Sequence, residues 1–407
     1  MNNPDRWASG RRGLIAGGLA AITPLRHVRA QSAPVKVGVI LPTSGVLAFP
    51  GQASLRGVKL GETVVKERGG PALEFVHADT QSRPENGRVA AEGLIRQGCT
   101  VLIGAWDAGA TISAAQAAEA ARVPLVINIA SAPQITAQGF TQIFRNFTPG
   151  GVLVRNAVAR VKELTAGRNP APKTAVVLYV NDTFGNGILG ALNALWPQLD
   201  IPIQILERIG YDERARDLSV EVAKAKASGA DILMPITRVN DAIMIVREMV
   251  KQAWNPMAII GPGSPGPYEK AFTDATGKYG DDYMVGVPWY NPKNPAAAAL
   301  VQRFERENAG QRFELNVGFS YEAVEIVADA VRRAGSAEAP AIHAALRQTN
   351  ITDHAMFGGP IQFDEKGQNN NIGCVLLQNR GGKPLVVGPV EVAEAEPRFP
   401  LTPFNRR

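Results

Sequence analysis

Short apolar runs alternate with helically spaced apolar positions along most of this 407-residue chain. Residues 35–41 form an unbroken apolar run, which predicts a strand, and 52–66 carry apolar residues at helical intervals. Further strands are expected at 73–76, 100–103 and 124–127, with helices at 88–97 and 112–120 between them. Continuous apolar strands separated by helices point to a parallel sheet covered on both faces. The alternation is the signature of a doubly wound α/β layer. The pattern then begins again, with strands at 173–180, 201–206, 231–236 and 257–260 and helices at 187–196, 218–226 and 241–252. A Gly/Pro-rich stretch follows at 261–267. The fold class is therefore α/β, with two doubly wound lobes. Ligands in such sheets bind at the carboxyl ends of the strands, so the strongest site is expected in the cleft between the two.

The ends of the chain depart from this pattern. Helices are predicted at 296–307, 321–334 and 339–348, and short strands at 360–363, 373–377 and 385–387. These helices are too many for one sheet to use in sequence, so they are expected to return to the first lobe before the last strands rejoin the second. Residues 391–407 hold three prolines and no periodicity, which reads as an exposed tail. At the other end, Arg6, Arg11 and Arg12 precede a small, apolar block at 13–25, and Val28-Arg29-Ala30 supplies small residues for cleavage. The block is shorter than the ~20 residues that span a bilayer. Residues 1–30 are thus expected to be an export signal, and the mature protein periplasmic. Arg11-Arg12 before Gly13-Leu14-Ile15 also resembles a twin-arginine signal, a route used by proteins that fold before export; ordinary secretion fits as well.

An apolar fraction of 45% excludes a disordered chain. The formal charge of +6 comes largely from the signal, which holds five arginines and one aspartate; without it the net charge falls to about +2. Such a balance gives no argument for nucleic acid or an anionic membrane as partner. Cys99 and Cys374 both lie in apolar, strand-like runs and are expected to be buried free thiols, with a bridge between them in an oxidising compartment as the alternative.

Several motifs together resemble the type I periplasmic binding proteins of the branched-chain amino acid and amide group. Val37-Gly38-Val39-Ile40-Leu41-Pro42-Thr43-Ser44-Gly45 is similar to the family's opening strand and Ser-Gly loop, and Val101-Leu102-Ile103-Gly104 to the strand before its next polar loop. Val123-Pro124-Leu125-Val126 leads into Ala130-Ser131-Ala132 and Gln134-Ile135-Thr136, while Asn181-Asp182-Thr183-Phe184-Gly185-Asn186-Gly187 resembles the opening loop of the second lobe. Phe363-Asp364-Glu365-Lys366-Gly367 matches the late turn. The resemblance covers roughly 35–387. It implies two lobes joined by a three-strand hinge, with crossings near Asn146, Gly286 and Gly358: residues 31–146 plus 287–357 in lobe 1, and 147–286 plus 358–390 in lobe 2. It also implies a monomeric receptor, no cofactor, a small-molecule solute (amino acid, amide or organic acid) and an ABC permease as partner. A sensor domain serving a signalling receptor shares the fold.

Strand-end loops supply the candidate ligand contacts. Ser131 can hold a carboxylate by amide and hydroxyl, or simply cap a helix. Ala130 matches a position whose carbonyl serves the ligand's ammonium in the family. Phe184 matches an aromatic that packs on the ligand, or else joins the lobe core. Trp106 stands in a loop at a strand mouth, with Asp107 and Thr111 as hydrogen-bonding neighbours. Trp289 and Tyr290 are expected on one cleft wall, and Ser44 at the first loop, where a plain turn role is the alternative. Arg238 follows the strand 231–236 and can read a carboxylate bidentately, or pair with Asp241. One departure bears on the ligand. Amino-acid binders of the family place an acid in the loop after the strand equivalent to 257–260, to pair with the ammonium, and here Gly263 aligns with it. Resemblance favours amino acids; Arg238, Trp106 and Phe184 suit a carboxylate without an ammonium, such as an aromatic acid, at least as well.

Enzyme readings are weaker. Gly185-Asn186-Gly187-Ile188-Leu189-Gly190 matches G-x-G-x-x-G, and Glu207 ends the next expected strand, as in a nicotinamide oxidoreductase. Four residues separate the strand from the first glycine, however, whereas the fingerprint needs its glycines in the turn. Pro262-Gly263-Ser264-Pro265-Gly266 lacks the first glycine of a nucleophile elbow. His77, His343 and His354 have no metal-ligand spacing.

Overall fold

The computed structural model describes residues 33–407; the expected export signal at 1–30 lies outside the described residues. Five parallel strands, β1 (Val35–Leu41), β2 (Leu73–Asp79), β3 (Val101–Gly104), β4 (Leu125–Ile127) and β5 (Ile143–Arg145), form a first sheet in the order β2-β1-β3-β4-β5. The unbroken apolar runs have a physical cause: β3, β4 and β5 are buried at every position, because helices cover both faces. Helix Leu315–Ala334 returns from the C-terminal third and lies along helix Ala48–Glu67. Close approach depends on Gly57, where a Cβ would come within 2.3 Å of the Val317 carbonyl oxygen.

The second sheet contains β6 (Thr174–Val180), β7 (Gln204–Tyr211), β8 (Ile232–Ile236), β9 (Ala258–Pro262), β10 (Met284–Val287), β11 (Val375–Arg380) and β12 (Lys383–Gly388), in the order β12-β11-β10-β9-β8-β6-β7. β6 to β10 run parallel; β11 and β12 form an antiparallel hairpin at the edge, joined by Gly381 and Gly382 with φ of +58° and +75°. The chain is mixed α/β with mainly parallel sheets, as the alternation predicts. Cys99 and Cys374 are buried and unpaired, and among the described residues no helix is long and apolar enough to cross a membrane.

Three readings of the C-terminal region need correction. The chain does not rejoin the second sheet at Gly358. The Asp364 carboxylate accepts from the amides of Lys366 and Gln368, and the turn lays 367–369 along β5: Arg145 N donates to Gly367 O and Asn369 N to Arg145 O. The second sheet resumes only at Val375. Residues 360–363 form no strand, only an isolated bridge between Ile351 and Ile361. Residues 391–407 are not an exposed tail. Val392, Leu401 and Phe404 are buried, and the amides of Leu401, Thr402 and Phe404 donate to Met257 O, Asp282 Oδ2 and Asn255 Oδ1. Prolines remove helical or strand spacing from this segment, so single apolar anchors hold it without leaving a periodic signal.

Candidate functional site

Loops at the carboxyl ends of both sheets converge on a cavity that opens partly to solvent. From the first sheet come Trp106 and Asp107 after β3, and Ala130 and Ser131 after β4; from the second, Phe184 after β6 and Arg238 after β8. These six candidates line one space. Most of the remaining wall is apolar, from Ile129, Phe147, Leu153, Pro265 and Leu315.

Asp107 caps helix Ala108–Ala121, its Oδ1 accepting from Ala110 N at 3.0 Å. Trp106 has a left-handed φ of +68°, costly for a non-glycine residue. Its indole Nε1 is held by Asn316 Oδ1 at 2.7 Å, and the Asn316 amide and side chain both donate to Glu314 Oε2. Burial pushes the Glu314 carboxyl up to about 7, against the pull of Asn316 and Arg56.

Arg238 is the charged centre. Its Nη1 pairs with Asp182, the cap of helix Thr183–Leu195, and its Nη2 stands 3.8 Å from Asp107 on the opposite wall. The guanidinium carbon lies 5.2 Å from the Phe184 ring centroid. Burial opposes its charge, but Asp182, Asp107 and Asp241 outweigh burial and hold its pKa above the ordinary value. Nε is buried without an acceptor. The expected partner Asp241 takes the Arg238 backbone amide rather than the guanidinium, and also accepts from the Tyr211 hydroxyl; burial raises its carboxyl to about 6.

Four candidates stand elsewhere. Ser44 is exposed, its amide donating to Asp79 Oδ1 and its carbonyl accepting from the Ser82 hydroxyl, so it serves the turn. Thr111 is buried and turns its hydroxyl back to Asp107 O at 2.6 Å. Trp289 is buried behind the wall, stacked on Tyr290 and edge-on to Tyr268, which does line the cavity. Tyr290 packs against Phe313 instead. Sequence reasoning missed Tyr268, Phe147 and Asn316: Tyr268 directly follows the Gly/Pro-rich stretch, and Asn316 belongs to a helix whose start was placed six residues late. The dinucleotide motif falls inside helix Thr183–Leu195, where a Cβ on Gly185 would come within 1.8 Å of Val180 O. Packing explains that glycine.

Gly263 lines the cavity with φ of +82°, and a Cβ there would meet Leu153 Cδ2 at 2.5 Å. The position aligned with an acid thus has no room for a side chain as packed. The Ala130 carbonyl, aligned with an ammonium acceptor, already accepts from Arg145 Nη1 at 3.3 Å.

Known proteins share this architecture. The sequence profile of the periplasmic binding protein family matches residues 34–382. Leu/Ile/Val-binding protein homolog 8 of Brucella melitensis is 26% identical over 404 residues, covering 95% of this chain and 98% of its own. The branched-chain amino acid transporter substrate binding protein LivJ from Streptococcus pneumoniae, solved with isoleucine, superposes with a TM-score of 0.76 at 19% identity, over 90% of this chain and all of that one. A solute binding protein of an ABC transporter from R. palustris, solved with benzoate, gives 0.74 at 20% identity, over 88% and 96%. These relatives are binding proteins, in agreement with the non-enzymatic reading. The chain belongs to the periplasmic binding protein family.

Proposed function

We propose that this chain is the solute-binding component of an ABC importer, closing by hinge bending on one small carboxylate with an apolar body. The observation that carries this reading is the orphaned Nε of Arg238, a buried donor in an otherwise largely apolar cavity. A buried unpaired donor costs ~1–3 kcal/mol, which an incoming carboxylate oxygen would recover. The Asp107 contact at 3.8 Å is too long for a hydrogen bond, so a ligand oxygen can displace it while Asp182 keeps its pairing. Closure is driven by contacts that only the closed form makes. The receptor works as a monomer in the periplasm after loss of residues 1–30 and delivers its guest to a membrane permease.

Gly263, which leaves no side chain at the position aligned with the acid, supports a ligand without an ammonium group. A second reading, an α-amino acid with Asp107 as counter-charge, is supported by the Leu/Ile/Val-binding relatives and the isoleucine complex. A thermal-shift series with benzoate, 4-methylpentanoate, leucine, isoleucine and the corresponding amides separates them. At ~100 times its dissociation constant a true ligand adds ~2.7 kcal/mol to stability. The proposal expects benzoate or 4-methylpentanoate to stabilise more than leucine; stabilisation by the amino acids alone selects the second reading, and by amides alone rejects both.

A further inference from the structure

A buried cation stands directly behind the loop that lines the cavity. Arg145, the last residue of β5, is fully buried. Its Nη1 donates to the carbonyls of Ala132 (2.9 Å) and Ala130 (3.3 Å), its Nη2 to Thr136 Oγ1 (2.9 Å) and its Nε to Gln368 Oε1 (2.6 Å). All four partners are neutral oxygens. Burial lowers its pKa to about 10, which still leaves it protonated at neutral pH. Gln368 passes the same hold onward, its Nε2 donating to the carbonyl of Phe147, another lining residue.

The Asp364 carboxylate raises the Arg145 pKa from a distance but forms no ion pair with it; a buried charge so loosely balanced is costly, and a neutral donor could tie the loop at lower cost. The charge itself therefore asks for a role. Ala130 and Ser131 stand between this guanidinium and the cavity space, and in a water-poor interior its field is poorly screened. We propose that Arg145 is a positioning residue and second cation of the carboxylate site, acting through the Ala130–Ala132 loop to favour a negatively charged ligand. This rests on the carboxylate reading above, whether or not the ligand also carries an ammonium group.

The test compares acids with their amides, since a merely structural role moves both alike. Calorimetric titrations use two probe pairs, benzoate with benzamide and leucine with leucinamide, against wild type, Arg145→Gln, Arg145→Lys and Thr136→Asp. Thr136 is half-buried at the edge of the cluster, so an aspartate there neutralises Arg145 without emptying the core; it decides the matter if Arg145→Gln does not fold. Arg145→Gln and Thr136→Asp are each expected to weaken the bound acid about tenfold and its amide less than twofold, with Arg145→Lys recovering most of the acid affinity. Equal losses for acid and amide, or an unchanged acid, overturn the inference. A wild-type protein that binds an amide as tightly as its acid overturns the carboxylate reading first, and is recognised without any variant.

Discussion

At the residue scale, the site is built from side chains with unequal freedom. Arg238 was legible as a cavity residue because it follows an apolar strand at one residue's distance, and Trp106, Asp107, Ser131 and Phe184 because strand-end loops face the cleft. Ser44 stands at a strand end too, but Asp79 and Ser82 consume its polar groups, and no sequence pattern reveals such a pairing. Trp289 and Tyr290 were misread for the opposite reason: their rings stack on each other, and contact between neighbours leaves no periodic trace. Gly263 gives a direct prediction. Gly263→Asp restores the acid expected of amino-acid binders, but with φ of +82° and Leu153 in the way it should destabilise the fold by ~1–3 kcal/mol without improving leucine binding. Thermal melting and a leucine titration of the variant check both halves; a stable variant with gained leucine affinity would count against the packing argument.

At the element scale, two connecting segments meet at one buried carboxylate. Glu322, on helix Leu315–Ala334, accepts from Asn146 Nδ2 and Met356 N, and pairs with His354 Nδ1 at 2.9 Å; Asn369 Nδ2 in turn donates to Asn146 Oδ1. The other ring nitrogen of His354 faces Gly359 O at 2.9 Å, so the doubly protonated ring satisfies both acceptors and a neutral ring only one. Burial pulls the His354 pKa down, but Glu322, Gly359 and Asp353 outweigh it and the net shift is upward. A raised folded-state pKa contributes stability that is fully present below the unfolded value near 6.5 and is lost as pH rises through the folded value. His354→Gln should therefore cost ~1 kcal/mol at pH 5.5 and progressively less toward pH 8.5. Melting curves of both proteins across that range test this; a pH-independent gap would exclude the imidazolium role. The helix carrying Glu322 was predicted, but its hold on the connecting segments was not, since it joins residues 176 positions apart.

At the scale of the whole molecule, the alternation of apolar runs and helices disclosed both sheets because parallel strands buried on two faces must be continuously apolar. The third crossing and the C-terminal segment were hidden because their anchors are single residues. Leu401 and Phe404 join the core beside the second sheet, and Lys278 and Arg407 bind the same end through backbone carbonyls. Deleting residues 400–407 should cost ~2–4 kcal/mol from the lost burial, with a matching fall in melting temperature. A truncated chain as stable as the intact one would show that this docking contributes nothing.

The central claim is that the space between the sheets takes a carboxylate through Arg238. The most direct measurement is a calorimetric titration of benzoate, 4-methylpentanoate and leucine into wild type and Arg238→Lys, which keeps the charge facing Asp182 but removes the Nε donor. The account predicts 1:1 binding of at least one of these acids to wild type, weakened about tenfold or more in the variant. Equal binding by both proteins, or binding by neither, would contradict it.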